Sequence, residues 1–346
     1  MELSKKDTTM TKGLAILFMV SLHLFCAKTN LNYHPLIYIS DVPFAYYLGL
    51  FGDCCVVMYC FCSGYAHAVT FQHNTRPYVS ILKRLPSFIL RVWIIILFIS
   101  LIGFFTGSPI PGSSKEFFLN FFMLKFTYNG AWWFITTYIY ICLLSSVIYK
   151  IAKKNTALTL ILFSAIYVVS YLYRFNKFSI PYPQNLFYDW LSNLGIFGTS
   201  LLPYTVGIVF YKHKIFTELH TLRTRIGNKL TYISVVFLFA AMFVLHMFFE
   251  SLFFAIFTGI GTIVGFNIVP KSRLIEKAFV FFGKHSVNIW LTHMFFFIMP
   301  FENLAYMPKY SILCFPFTLI LCIASSYIIN FTYNSLKKIS FLKKII

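Results

Sequence analysis

The sequence predicts an all-α, polytopic transmembrane helix bundle of about ten helices, with both termini in the cytoplasm. The first observation is composition, because 59% of the 346 residues are hydrophobic and only 11% are charged. A soluble domain carries about 25% charged residues, so much of this apolar surface must face lipid. The other two observations are a series of apolar runs of spanning length and a one-sided distribution of lysine and arginine.

The apolar runs recur along the whole chain, and each is long enough to cross about 30 Å of hydrocarbon. We expect helices at 12–29, 44–70, 86–107, 130–150, 157–174, 193–211, 229–248, 251–269, 279–300 and 310–334. The connecting loops are short, which leaves no room for an appended soluble domain. The sequence therefore predicts a single integral-membrane domain over residues 1–346.

The cationic residues separate by side of the predicted bundle. With the N-terminus in the cytoplasm, 22 of the 29 lysines and arginines fall in cytoplasmic segments and six on the opposite side. The positive-inside rule then requires an even number of helices and two cytoplasmic termini. The formal net charge of +19 is therefore interpreted as a topology signal, and we expect no nucleic-acid partner.

The eight cysteines all lie in apolar runs. None belongs to a CxxC pair that is followed by a second pair at the spacing of a zinc site. Their interpretation is as small hydrophobic side chains, and we expect no metal.

Three ionisable residues fall inside predicted helices at similar depth. His23 lies eleven residues beyond Lys12, which is about 16 Å along a helix. Asp53 lies about nine residues into the second predicted helix, and His293 lies nine residues past Lys284, which places each about 13 Å into the membrane. Such residues are costly in a bilayer and indicate function. His23 is a candidate general base, and Asp53 a candidate carboxylate behind it; hydrogen bonding between helices is the alternative for all three.

A second group of candidates is cationic and lies on the cytoplasmic side. Arg84 precedes the third predicted helix, and Arg91 lies inside it, five residues past Pro86. Long cationic side chains in such positions extend outward to water. Alternatively, they face a cavity that opens to the cytoplasm and bind phosphate, for which the arginine fork is well suited.

Four stretches of the chain resemble motifs of one known family. TKGLAILFMVSLHLF has a basic residue followed, after ten residues, by histidine, at Lys12 and His23. FGDCCVVMYCFCSGY closes on a Ser-Gly-aromatic triplet that begins at Ser63, and AWWFITTYI contains Trp-Phe at Trp133. FFGKHSVNIWLTHMFF has Gly-Lys, then Ser, an aromatic residue and finally His293. In this order, the motifs resemble the acyltransferase-3 family of integral-membrane acyltransferases.

This resemblance implies an O-acyltransferase that modifies extracellular or lipid-linked sugars. The donor implied is acyl-CoA, with acetyl-CoA expected, bound from the cytoplasm with its phosphates against Lys12, Arg84 and Arg91. His23 then deprotonates an acceptor hydroxyl, which attacks the thioester, and Asp53 orients the imidazole. Whether an acyl-enzyme forms is left open by the sequence.

The resemblance also implies a substrate side that includes Ser63, Trp133 and His293. A nucleophilic Ser63 is one reading, and close helix packing at the Ser-Gly pair is the other. His293 either binds the acceptor or completes a proton relay. The partners implied are the lipid bilayer and a saccharide acceptor, and the location is a cell membrane, expected to be a bacterial plasma membrane.

Two sets of residues fall near the outer ends of helices. For His246 and Glu250, at the turn between the seventh and eighth helices, we expect solvent-exposed side chains, with acceptor binding as the alternative. Tyr182, Tyr188 and Trp190 are typical of an interfacial aromatic belt, and stacking on a sugar is the alternative.

Two other classes of protein share the predicted topology. A transporter or flippase for a polysaccharide intermediate also needs polar groups near the middle of the membrane. It has no need for a histidine at a fixed depth beyond a cytoplasmic cation cluster. A non-catalytic sensor or scaffold built on the same fold is the second alternative, and it would tolerate loss of His23. The sequence does not determine the oligomeric state.

Overall fold

The computed structural model describes residues 2–29, 31–175 and 186–339, and this part of the chain is almost entirely helical. The helices are α1 (Lys5–Phe25), α2 (Phe44–Phe51), α3 (Cys55–His73), α4 (Pro77–Leu82), α5 (Arg84–Thr106), α6 (Ser114–Phe121), α7 (Trp133–Lys154), α8 (Thr156–Arg174), α9 (Leu186–Lys212), α10 (Ile215–Phe248), α11 (Ala255–Ile268), α12 (Arg273–Thr292) and α13 (Ser311–Leu336). Two short strands, β1 (Tyr38–Ile39) and β2 (Val42–Pro43), pair antiparallel. The predicted all-α fold is confirmed.

Eight helical segments of the described chain are long and apolar enough to cross a membrane. They are Lys5–Phe25, Phe44–His73, Pro77–Thr106, Gly130–Lys154, Thr156–Arg174, Phe187–Lys212, Ile215–Phe248 and Ser311–Leu336. The helix predicted at 251–269 is found at Leu252–Ile268, as a 3-10 turn followed by the 14 residues of α11, and it is shorter than any of the eight spanning segments. The helix predicted at 279–300 is α12, which begins earlier, at Arg273, ends earlier, at Thr292, and has a charged first half.

The seventh helix, expected at 229–248, corresponds to the part of α10 after Gly227, and a further helical segment from Ile215 precedes this glycine. Gly227 interrupts α10 with φ 82° and ψ 161°, a backbone conformation that glycine adopts without steric cost. The segment before Gly227, which the charge pattern assigned to a loop, is therefore helical.

The chain forms two compact units. The first comprises Met1–Ala15, Asp53–Ile81 and Thr136–Lys284, and the second comprises Ile16–Gly52, Leu82–Ile135 and His285–Ile346. Both units are built from segments distant in sequence, so neither corresponds to a simple N-terminal or C-terminal half. The prediction of a single domain over residues 1–346 stays a prediction.

The first unit is organised around the packing of α3 against α9. A Cβ atom added to Gly64 would lie 1.8 Å from the Tyr204 carbonyl oxygen, and one added to Gly207 would lie 2.2 Å from the Phe61 carbonyl oxygen. Each glycine therefore faces the backbone of the opposite helix, as small residues do where membrane helices approach closely. The Ser-Gly pair noted in the sequence thus has a packing function at Gly64.

Gly64→Ala is expected to lower the free energy of unfolding by about 3 kcal/mol, because overpacking at a close backbone contact forces two helices apart. The matched control is Gly130→Ala, since an added Cβ at Gly130 meets no atom within 4 Å. The measurement is the thermal unfolding midpoint of the purified protein in detergent. Equal midpoints for the two variants would contradict the packing assigned to Gly64.

The last turn of α1 is held by contacts within the second unit. The Tyr306 hydroxyl donates to the Leu24 carbonyl oxygen at 2.9 Å, and its ring stacks on Tyr33 at 6.2 Å between centroids. Burial raises the pKa of the Tyr306 phenol to about 12, so the phenol keeps the proton that it donates. A short turn after α12 is thereby tied to the last turn of α1, which carries His23.

Candidate active site

His23 and His293 lie side by side in the second unit. Their ring centroids are 5.1 Å apart and the ring planes are inclined by 47°. His23, in the last turn of α1, is half-buried, whereas His293, the first residue after α12, is completely buried. The two histidines that the sequence analysis assigned to similar depth therefore share one site.

The hydrogen bonds of His293 define which ring nitrogen carries its proton. Nδ1 lies 2.8 Å from the Trp290 carbonyl oxygen and 3.2 Å from the Ile289 carbonyl oxygen. A carbonyl oxygen only accepts, so Nδ1 is the protonated donor and Nε2 of the neutral ring carries a lone pair. Among the described residues, this buried Nε2 has no hydrogen-bond partner.

Two indoles hold the end of α12 that carries this histidine. Trp132 Nε1 donates to the Leu291 carbonyl oxygen at 3.0 Å, and Asn129 Nδ2 donates to the same oxygen at 3.2 Å. Trp290 Nε1 donates in return to the Ala131 carbonyl oxygen at 3.1 Å. The turn at 129–132 is thus locked to the last turn of α12 by buried, reciprocal hydrogen bonds.

The tryptophan that anchors this turn is not the one that the sequence analysis selected. Trp132 is completely buried and carries the hydrogen bond, while Trp133 is half-buried and begins α7. The Trp-Trp pair does not reveal from sequence which indole faces the interior. The substrate-side assignment of Trp133 stays a prediction.

Asp53 has an imidazole partner that the sequence analysis missed. Its Oδ2 lies 3.0 Å from Nε2 of His246, and the two side chains are 0% and 2% exposed. The expectation that His246 is solvent-exposed is therefore wrong, whereas Glu250 is exposed as expected. The carboxylate expected behind His23 is hydrogen-bonded to His246, and its catalytic role stays a prediction.

Arg91 lies in a polar cluster of the second unit. Its Nη1 donates to Asn330 Oδ1 at 2.7 Å and to Asn288 Oδ1 at 3.2 Å, and the guanidinium lies 4.1 Å from the centroid of the Tyr333 ring. In the part of the chain that the structure describes, no carboxylate forms an ion pair with Arg91. Amide oxygens and an aromatic face solvate this cation but do not neutralise it, so the cluster favours an anion.

The other two predicted cations, Arg84 and Lys12, lie on α5 and α1. Arg84 is the first residue of α5 and is exposed. Arg91 follows two helical turns later on the same face, about 10 Å along the axis. Lys12 is half-buried in α1, and its carbonyl oxygen accepts a hydrogen bond from the Tyr59 hydroxyl at 3.3 Å.

The remaining candidates have more ordinary surroundings. Ser63 Oγ donates to the Tyr59 carbonyl oxygen at 2.9 Å within α3, a common bond for a helical serine. Trp190 is 49% exposed, and Tyr182 lies outside the described residues. No group of three or more His, Cys, Asp and Glu side chains in the described ranges is arranged to hold a metal ion.

Comparison with known protein families assigns almost the whole chain. Residues 9–331 match the Acyl_transf_3 model, described as an acyltransferase domain. The chain belongs to the acyltransferase-3 family. It is therefore a multi-pass membrane acyltransferase that transfers groups other than aminoacyl groups. Neither a curated protein nor a solved structure matches it.

Proposed function

We propose that this acyltransferase transfers an acyl group, acetyl in the first instance, from cytoplasmic acyl-CoA to a hydroxyl of a cell-surface or lipid-linked saccharide. The observation that carries the proposal is the pair of histidines. A half-buried imidazole at the end of a membrane helix, backed by a second imidazole with a fixed tautomer, has the properties of a general base.

In the proposed reaction, His23 removes the proton of the acceptor hydroxyl. The oxygen attacks the thioester carbonyl, a C–O bond forms, and the C–S bond breaks as the tetrahedral intermediate collapses. The departing thiolate takes the proton from the His23 imidazolium, so atoms and charge balance. Direct transfer of this kind needs no nucleophilic side chain, and the hydrogen bond from Ser63 to its own helix favours packing for that residue.

The donor phosphates are assigned to α5. Arg84 begins this helix, and the Arg91 guanidinium has only neutral partners among its described contacts. A phosphate would supply the negative charge that this cluster lacks, through charge-assisted hydrogen bonds to the arginine fork. The assignment of Lys12 to the same role stays a prediction.

Arg91→Gln is expected to raise the Michaelis constant for acyl-CoA by about tenfold to 100-fold, because a hydrogen bond to a charged group contributes about 1.5–3 kcal/mol. Arg84→Gln should act in the same direction, with a smaller effect at an exposed position. The measurement is initial rate against acyl-CoA concentration, with Lys115→Gln, an exposed cation outside the site, as control. An unchanged Michaelis constant in Arg91→Gln would remove this arginine from the donor site.

The experiment that tests the function is mass spectrometry of cell-surface glycans from cells with and without this chain. Acyl groups on saccharide hydroxyls that depend on the chain, and that disappear in His23→Gln, are the expected result. A change in the amount of glycan with no change in its acylation would contradict the proposal and favour transport.

A further inference from the structure

We propose that His293 is a positioning residue, whose Nε2 lone pair accepts a hydrogen bond from His23 and takes the place of the carboxylate that a catalytic triad would use. This inference rests on the proposed function, in which His23 is the general base. It assigns to His293 a role other than the acceptor binding or proton relay that the sequence predicted.

Backbone contacts fix the tautomer of His293. Two carbonyl oxygens, of Ile289 and Trp290, lie within hydrogen-bond distance of Nδ1 of His293. They bind only a protonated nitrogen, so they hold the proton on Nδ1 and leave Nε2 as an acceptor. The locked turn around Trp132 keeps this ring in place. A residue that accepts a hydrogen bond in a fixed direction is what positioning requires.

His23 and His293 differ in how accessible they are to a substrate. His293 is 0% exposed, whereas His23 is half-buried. A substrate hydroxyl therefore reaches His23 before it reaches His293. The order of groups that burial indicates is acceptor, then His23, then His293.

The separation of the His23 and His293 rings suits a hydrogen bond between them. Each nitrogen of an imidazole lies about 1.1 Å from the ring centroid, so an N–H···N bond of about 2.9 Å joins two rings whose centroids are about 5 Å apart. The observed separation of the His23 and His293 centroids is 5.1 Å. We expect a rotation of the half-buried His23 ring to direct one N–H at Nε2. Catalytic hydrogen bonds commonly align in this way only when substrate is bound.

A buried hydrogen-bond acceptor on His293 is unsatisfied within the described part of the chain, and this costs free energy. A buried polar atom without a hydrogen bond destabilises a protein by about 1–3 kcal/mol. Nε2 of His293 is such an atom in the described chain. When His23 takes the acceptor proton, both of its nitrogens become donors. One N–H then satisfies Nε2, so the imidazolium forms a hydrogen bond with a neutral group and no buried carboxylate is needed.

The first test compares His293→Leu with His293→Gln. Leucine removes the acceptor, whereas the glutamine side-chain oxygen restores one near the position of Nε2. His293→Leu is expected to lower kcat about 100-fold with the Michaelis constants changed by less than about twofold, and His293→Gln to recover about tenfold of that loss. Equal losses in the two variants, or a change confined to the Michaelis constant for the acceptor, would overturn the proposal.

The second test does not depend on a variant or on activity. Solid-state NMR of the wild-type protein with ¹⁵N-labelled histidine in lipid bilayers reports which ring nitrogen of His293 is protonated, after assignment through the Met294 amide. A neutral ring with Nδ1 protonated is expected, and an Nε2–H tautomer would overturn the proposal. Full activity in His23→Gln would instead remove the proposed function, so the two failures are distinguishable.

Discussion

His23→Gln is expected to lower the rate of acyl transfer by about 10²–10⁴-fold, the range that a positioned general base contributes. Glutamine keeps a polar side chain of similar length but has no nitrogen that takes a proton near neutral pH. The acceptor hydroxyl then attacks the thioester while it still holds its proton. The measurement is a single-turnover assay with radiolabelled acetyl-CoA and purified protein.

The control for this variant lies in the same helix. Ser21 is also half-buried in α1, two residues before the histidine, and Ser21→Ala should retain the wild-type rate. The His23→Gln variant should also still bind acyl-CoA, since the phosphates are assigned to α5. This binding is measured as the increase in the thermal unfolding midpoint that acyl-CoA causes. Wild-type turnover in His23→Gln would remove His23 from the chemistry.

The second large effect is on stability. His246→Ala is expected to lower the free energy of unfolding by about 3–5 kcal/mol, because it leaves the Asp53 carboxylate buried without its partner. The two side chains are 0% and 2% exposed, so water cannot replace the lost imidazole. The measurement is denaturant-induced or thermal unfolding of the variant in detergent, with expression level as a second indicator.

A double-mutant cycle separates structure from catalysis at this pair. Asp53→Asn combined with His246→Gln replaces the carboxyl–imidazole pair by two amides that can hydrogen-bond, so stability should recover relative to His246→Ala. If Asp53 acts only in packing, activity recovers with stability. If the double variant is stable but inactive, the catalytic assignment of Asp53 gains support. If the losses of stability in Asp53→Asn and in His246→Gln simply add up in the double variant, that result would contradict the observed pair.

Hydropathy and charge patterns were sufficient for the fold class because the membrane imposes them on every spanning helix. These patterns did not predict helix bounds where helix length or backbone conformation determines them. The run at 251–269 is mostly apolar, yet it opens with a 3-10 turn and only 14 residues form α11, since an apolar composition does not fix where a helix begins. Likewise, the basic segment before Gly227 is helical, because positive charge indicates a side of the membrane and not a loop.

The candidate site was predictable where two residues share an expected depth and less so where one partner was expected at a solvent-exposed turn. The depths of His23 and His293 brought them into one layer, and the structure has them in contact. Asp53 and His246 are 193 residues apart, and neither lies in a sequence motif that indicates the other as its partner. The Trp132 anchor was missed for a related reason, since adjacent tryptophans differ only in which one the fold buries.

The most direct test of the central claim is transfer by the purified protein in lipid nanodiscs, with ¹³C-acetyl-CoA and a lipid-linked saccharide. A labelled acetyl ester on the saccharide and one free CoA thiol for each ester formed are expected, and both should be absent with His23→Gln. Thiol release without labelled saccharide, or equal ester formation in the wild type and in His23→Gln, would contradict the proposed function.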